Sequence, residues 1–170
     1  MVEAMVEPWL RGENGELHAA LAAVVHALQQ AREDVREWTK DVHEEETWAR
    51  PLRLAPLGFQ LRHIAGSTDR LATYARGSQL SAEQMAALQA EPTPGAPLAA
   101  LLDELDAALA RAQEQVRQTD PATLSDPRGV GRKALPTSVG GLLVHIADHT
   151  QRHVGELIVT VRVLRASRGD

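Results

Sequence analysis

Apolar residues recur along this chain at intervals of three and four, the spacing of one face of a helix, in four separate stretches. Leu17, Leu21, Val24, Leu28, Ala31, Val35 and Trp38 form the first seam, with Asn14–Gly15 as a possible start and the polar run Asp41–Glu46 after it. Leu57, Leu61, Ile64, Thr68, Leu71 and Ala75 form the second, bounded by Pro51 and Pro56 before and Gly77 after. The third runs through Leu98, Leu102, Leu105, Leu109, Ala112 and Val116, opened by Pro97 and closed near Asp120–Pro121. The fourth follows Pro136, with Thr137 or Ser138 as its cap, and carries Leu142, Ile146, Leu157, Val161 and Leu164. No alternating strand pattern of useful length competes, so the fold class predicted is all-α, a four-helix bundle.

The connections are long. Ser81 and Gln84 have the spacing of a capping box, which predicts a short extra helix, and the extended stretch EPTPGAP follows it. A link of that length can cross the bundle, so the second and third long helices are expected to run parallel. Thr119–Pro136 reads as another long loop.

At 170 residues the chain is expected to be one domain over 1–170, with about 14 N-terminal residues and the last few peripheral. Apolar residues at 44% and charged residues at 24% fit a soluble globular protein. A net charge of −5, with one Phe, one Tyr and three Trp, argues against nucleic acid as a partner. There is no cysteine, so disulfides, thiolate ligands and a protein-borne thiol nucleophile are excluded. Neither a membrane span nor a signal peptide is legible, which makes a cytoplasmic location the expectation. Only Lys40 and Lys133 are lysine among 18 basic residues, a usage that hints at a GC-rich bacterial genome.

The chemistry concentrates in GLLVHIADHTQRHVGEL, residues 141–157. His145, His149 and His153 climb one side of a helix, drifting by about 40° per step. His149 and His153 continue the line of Leu142, Ile146, Leu157 and Val161, where a bundle would place leucine. Buried imidazoles without partners cost about 1–3 kcal/mol, and a divalent ion shared by an i, i+4 pair satisfies both. His63, in FQLRHIAGSTDRL on the second helix, is the best third ligand. His145 and Glu156 are read as outer groups that orient a ligand, and His18, His26 and His43 as hydrogen-bonded boundary residues. Arg70, Tyr74 and Arg152 are candidates for holding a carboxylate or steadying negative charge. Trp48, Arg128, Arg132 and Lys133 are candidates for the mouth of the site.

HIAGSTDRLATYARG and GRKALPTSVGGLLVHIADHTQRHVGEL resemble segments of the DinB/YfiT-like superfamily of metalloenzymes. The resemblance spans about residues 15 to 165, with its specific motifs on the second and fourth helices. It implies a four-helix bundle in which His63, His149 and His153 match the ligand positions for one divalent ion. Characterised members of the superfamily include thiol S-transferases using bacillithiol, mycothiol or glutathione, and a mycothiol-dependent maleylpyruvate isomerase; the founding name refers to induction by DNA damage.

The function expected on these grounds is transfer of a low-molecular-weight thiol to a small-molecule electrophile. A hydrolase using the same site, a stress-associated metal-binding bundle without catalysis, and a dimerisation module with merely hydrogen-bonded histidines are the alternatives. Imidazole ligands suit zinc, nickel, iron and copper alike, and the candidate divalent ions are zinc, nickel, iron and manganese. The resemblance also points to a homodimer, although no residue pattern marks an interface.

Overall fold

The computed structural model describes residues 6–169; residues 1–5 and 170, within the segments expected to be peripheral, lie outside the described residues. The chain is mostly helical: α1 (Ala19–Thr39), α2 (Leu57–Ala75), α3 (Ala82–Ala90), α4 (Leu98–Arg117) and α5 (Val139–Arg168). Two short strands, β1 (Pro127–Val130) and β2 (Leu135–Ser138), precede α5.

Local chemistry sets the helix ends. α1 starts at Ala19, later than the Asn14–Gly15 signal, because Asn14 has φ of 59° in a turn and the His18 ring accepts the Ala20 N–H at 3.3 Å. Leu17 therefore packs on the core from outside the helix. Ser81 and Gln84 cap α3 reciprocally, and Ser138 Oγ accepts from Gly141 N at 3.1 Å to open α5. Gly169, with φ of 87°, takes the left-handed conformation that closes α5.

Side-chain bridges give the helix directions. Arg32 and Arg36 of α1 share Asp106 of α4, and Glu44, beyond the end of α1, accepts from the Leu98 N–H at the start of α4. These two helices are antiparallel. Gln151 donates to Ala27 O at 2.7 Å and Arg165 to Trp38 O at 3.2 Å, so α5 runs parallel to α1. Thr160 reaches Ala55 O and Glu156 reaches Gln60, so α5 is antiparallel to α2. Near their N-termini α2 and α4 are tied by Trp48, which donates to Ala96 O at 2.9 Å. Near their C-termini Gln115 donates to Ala72 O at 3.0 Å. They are parallel, joined by the long crossover that carries α3. Leu28, Leu61, Leu109 and Leu157, one from each long helix, are fully buried at the centre, each burial contributing about 1.5–3 kcal/mol.

The stretch 119–136 is not a structureless loop. It holds a turn at Pro121–Thr123 and most of an antiparallel hairpin that pairs Pro127 with Ser138 and Val130 with Leu135. Arg128 donates to Ala75 O at 2.9 Å, so the hairpin packs against the C-terminal end of α2. Arg132 and Lys133 are exposed at its tip. The hairpin thus lies about 18 Å along α2 from His63 rather than at the mouth of the histidine site.

Trp48 has a structural role in place of the one expected from sequence. A Cβ on Gly58 would stand 2.7 Å from its ring, and Arg62 covers the indole with its guanidinium 5.2 Å from the ring centre. Gly58→Ala is expected to push this wedge out and to destabilise by about 1–3 kcal/mol. A lowered midpoint in thermal unfolding checks it, and an unchanged midpoint would count against the wedge.

Candidate metal centre

On α5 the deeply buried line is Leu142, Leu143, Ile146, Thr150, Val154, Leu157 and Val161. His149 and His153 sit one position to its side, half-buried. They do not replace core hydrocarbon as the seam reading anticipates; Thr150 and Val154 fill that line. The reason is angular: the steps of four that stay buried run through Leu142, Ile146, Thr150 and Val154, and a residue one position earlier points about 100° away from its neighbour in that line. This places the imidazoles in the groove between α5 and α2, where both protein neighbours and solvent reach them.

His63, half-buried on α2, closes the cluster. One ligand nitrogen from each of His63, His149 and His153 lies within 4.8 Å of the others. His63 Nε2 and His149 Nε2 are 3.1 Å apart. The rings meet edge to face, with centres 4.4 Å apart for His63–His153 and 4.5 Å for His149–His153.

Two of the rings are held from behind. His63 Nδ1 donates to Glu91 Oε2 at 2.7 Å, and Phe59 stacks on its face. His153 Nδ1 donates to Gln60 Oε1 at 2.9 Å and approaches Glu156 Oε2 at 3.1 Å. Gln60 also donates to Glu156 at 2.9 Å, which fixes the amide orientation. With Nδ1 protonated, Nε2 of each ring carries the free lone pair, the form a metal ligand needs.

Electrostatics favour the neutral form of His149 and His153. Burial, then the neighbouring His153, His63 and His145, lower the His149 pKa to about 4. Burial and His63 also lower that of His153, partly offset by Glu156. The donor set fits a divalent ion: three imidazoles converge, and the outer nitrogens of two of them are already occupied.

A sequence profile described as the DinB superfamily matches residues 27–157, a span that contains all three histidines. The chain belongs to the DinB superfamily. A comparison with curated proteins finds no match. In this DinB-superfamily chain, His63, His149 and His153 are therefore the candidate metal site.

The other residues singled out from sequence are scattered around the cluster. Glu156 touches His153, as described. His145 is half-exposed, 5.5 Å ring to ring from His149, with its Nδ1 3.9 Å from Asp148 and no contact that orients a ligand. Arg70 is buried and committed to Glu91 Oε1 at 2.7 Å, so its charge is not free for a substrate carboxylate. Tyr74 is packed in the core about 16 Å further along α2 than His63, out of reach of the site. Arg152 is exposed, pairs with Asp148 at 2.9 Å, and edges an open groove of about 400 Å³ lined by Leu54, Ala55, Gly155 and Val159. Gln60 and Glu91 were not legible as site residues: Gln60 reads as one polar residue on α2, and Glu91 lies in the crossover with no motif around it.

Among the described residues no helix is long and apolar enough to cross a membrane.

Proposed function

We propose that this protein binds one divalent ion through His63, His149 and His153 and transfers a low-molecular-weight thiol to an electrophilic small molecule. The observation that carries the metal reading is the convergence of three imidazoles, two of them oriented through Nδ1, at a depth that solvent still reaches. An ion bound there supplies Lewis acidity, which lowers the pKa of a thiol or water and generates a nucleophile near neutral pH.

The chain's own residues supply the rest. The Gln60–Glu156 pair holds the His153 ring in orientation, so little reorganisation of that ring accompanies binding. The groove bounded by Leu54, Ala55, Gly155 and Val159 begins at Gln60 and Glu156, beside His153, and suits the apolar body of a small molecule. Arg152 at its edge can meet an anionic group once released from Asp148. The absence of cysteine supports an external thiol, since no side chain here can be alkylated at sulfur in its place except methionine.

The test is conjugation of monochlorobimane by metal-loaded protein, with and without bacillithiol, mycothiol or glutathione. Product formation that needs one of these thiols, and that disappears in His153→Ala, is the expected result. Turnover of an ester without thiol, and no conjugation, would replace transfer with hydrolysis. Elemental analysis of the purified protein identifies the ion.

A further inference from the structure

Glu91 meets His63, but that contact alone does not explain its burial or its second bond, to Arg70. It is the C-terminal cap of α3, in a crossover whose evident task is to join two parallel helices, yet its side chain is 4% exposed and lies against the histidine cluster. Its two oxygens have different partners. Oε1 accepts from Arg70 Nη1 and Oε2 from His63 Nδ1, both at 2.7 Å. The backbone makes room for this arrangement: a Cβ on Gly66 would stand 2.7 Å from both Arg70 Nη1 and Glu91 Oε1.

We infer that Glu91 is a positioning residue for the proposed metal centre, held by Arg70 in the notch at Gly66 so that His63 keeps Nδ1 protonated and Nε2 aimed at the shared centre. The inference rests on the metal reading above. Its chemistry requires a carboxylate. Both neighbours are donors, so both atoms between them must be acceptors; an amide would set its own N–H against the buried guanidinium or the ring N–H, which would be costly.

The other two rings show what Glu91 adds. His153 is held by a neutral amide and by Glu156, whose side chain is half-exposed. His149 has no partner on Nδ1 among the described residues, and its contact is the His63 nitrogen itself. His63 is thus the ring whose tautomer is set most firmly, by a buried charge-assisted bond. Its orientation also depends on α3 being docked, which Gln84 secures by donating to Asp69 at 2.6 Å and Thr73 at 2.8 Å.

Glu91→Gln tests this with little change of shape. Glutamine offers one acceptor oxygen and one amide donor, and the buried Arg70 and the His63 N–H compete for the oxygen. Zn²⁺ affinity, measured by competition with a chromogenic chelator, is expected to fall about 10–100-fold. Independently of any ion, imidazole ¹⁵N spectra of metal-free protein at pH 8 are expected to show His63 as the Nδ1–H tautomer in the natural sequence and as a mixture in the variant. The paired change Arg70→Met with Glu91→Leu removes both charges together and leaves His63 Nδ1 without an acceptor; the same losses are expected, with the far-ultraviolet spectrum confirming the fold. Natural-sequence protein that binds Zn²⁺, with both variants matching its affinity within threefold and an unchanged His63 tautomer, overturns the role of Glu91 alone. Natural-sequence protein that binds no ion overturns the metal reading, and the positioning role with it.

Discussion

Replacing His149 or His153 with alanine is expected to abolish stoichiometric retention of a divalent ion while leaving the far-ultraviolet helical signal almost unchanged. Both rings lie beside the buried line of α5, not in it, so their removal opens no cavity among Leu142, Ile146, Val154 and Leu157. Alanine is also the better helix former. The affinity lost should exceed the roughly 10–100-fold that outer partners of a ligand contribute, because a direct ligand goes. His145→Ala is the matched control. It is one turn earlier on the same helix and half-exposed, and it should retain the ion within about threefold. Elemental analysis after gel filtration, with circular dichroism of the same samples, checks all three. Loss of helix in both variants, or equal ion loss in His145→Ala, would contradict the three-histidine site.

The second large effect is an acid dependence in which His149 takes its proton at lower pH than an ordinary histidine. Unperturbed imidazoles would begin to compete with a metal below about pH 6.5. His149 is held neutral by burial and by its histidine neighbours, with a pKa of about 4. Its share of the proton competition should therefore appear near pH 4, not near 6.5. The same shift acts on the ion-free fold. In the unfolded chain His149 takes a proton as pH falls through about 6.5, whereas in the folded chain it does so only near 4. The unfolded state binds more protons between those values, so folding stability declines as pH drops through that window. His153, whose pKa is also lowered, adds to the decline in the same direction. The ring of His149 is partly open to solvent, so screening reduces its contribution to on the order of 1 kcal/mol. Urea unfolding of metal-free protein at pH 7, 5.5 and 4.5 should show this fall, with a shallower slope in His149→Ala. Equal slopes in the two proteins would remove the depressed pKa from the explanation.

How much of this was readable from the chain depends on the range over which each signal acts. The four long helices were legible because the periodicity of residues such as Leu57, Leu61 and Ile64 is local and is reinforced by proline and glycine at their ends. The parallel pairing of α2 and α4 followed from the length of the link. The start of α1 was misplaced, since Asn14–Gly15 is a strong turn signal and a histidine cap at residue 18 is a weak one. The hairpin at 127–138 escaped because each strand has four residues and is steadied by contacts such as Arg128 to Ala75. At the site, the spacing of His149 and His153 was plain, but their lateral offset from the core depends on where α2 packs. Arg70 shows the limit most clearly. A sequence displays a positive charge near the cluster and cannot display Glu91, 21 residues away and at the end of another helix, which takes that charge up.

The direction of the helices has a consequence for how the protein is made. α5, like α4, touches both α1 and α2, through pairs such as Ala27–Gln151 and Gln60–Glu156, separated by 124 and 96 residues. While the ribosome is still producing the preceding segments, those two helices lack the part of their cover that α5 supplies, and the nascent chain carries the leucines of that face exposed. Contacts this distant along the chain also slow the search for the native arrangement compared with a bundle of successive hairpins. Two of the three imidazoles arrive on that late segment, so no fragment ending before it can assemble the histidine cluster.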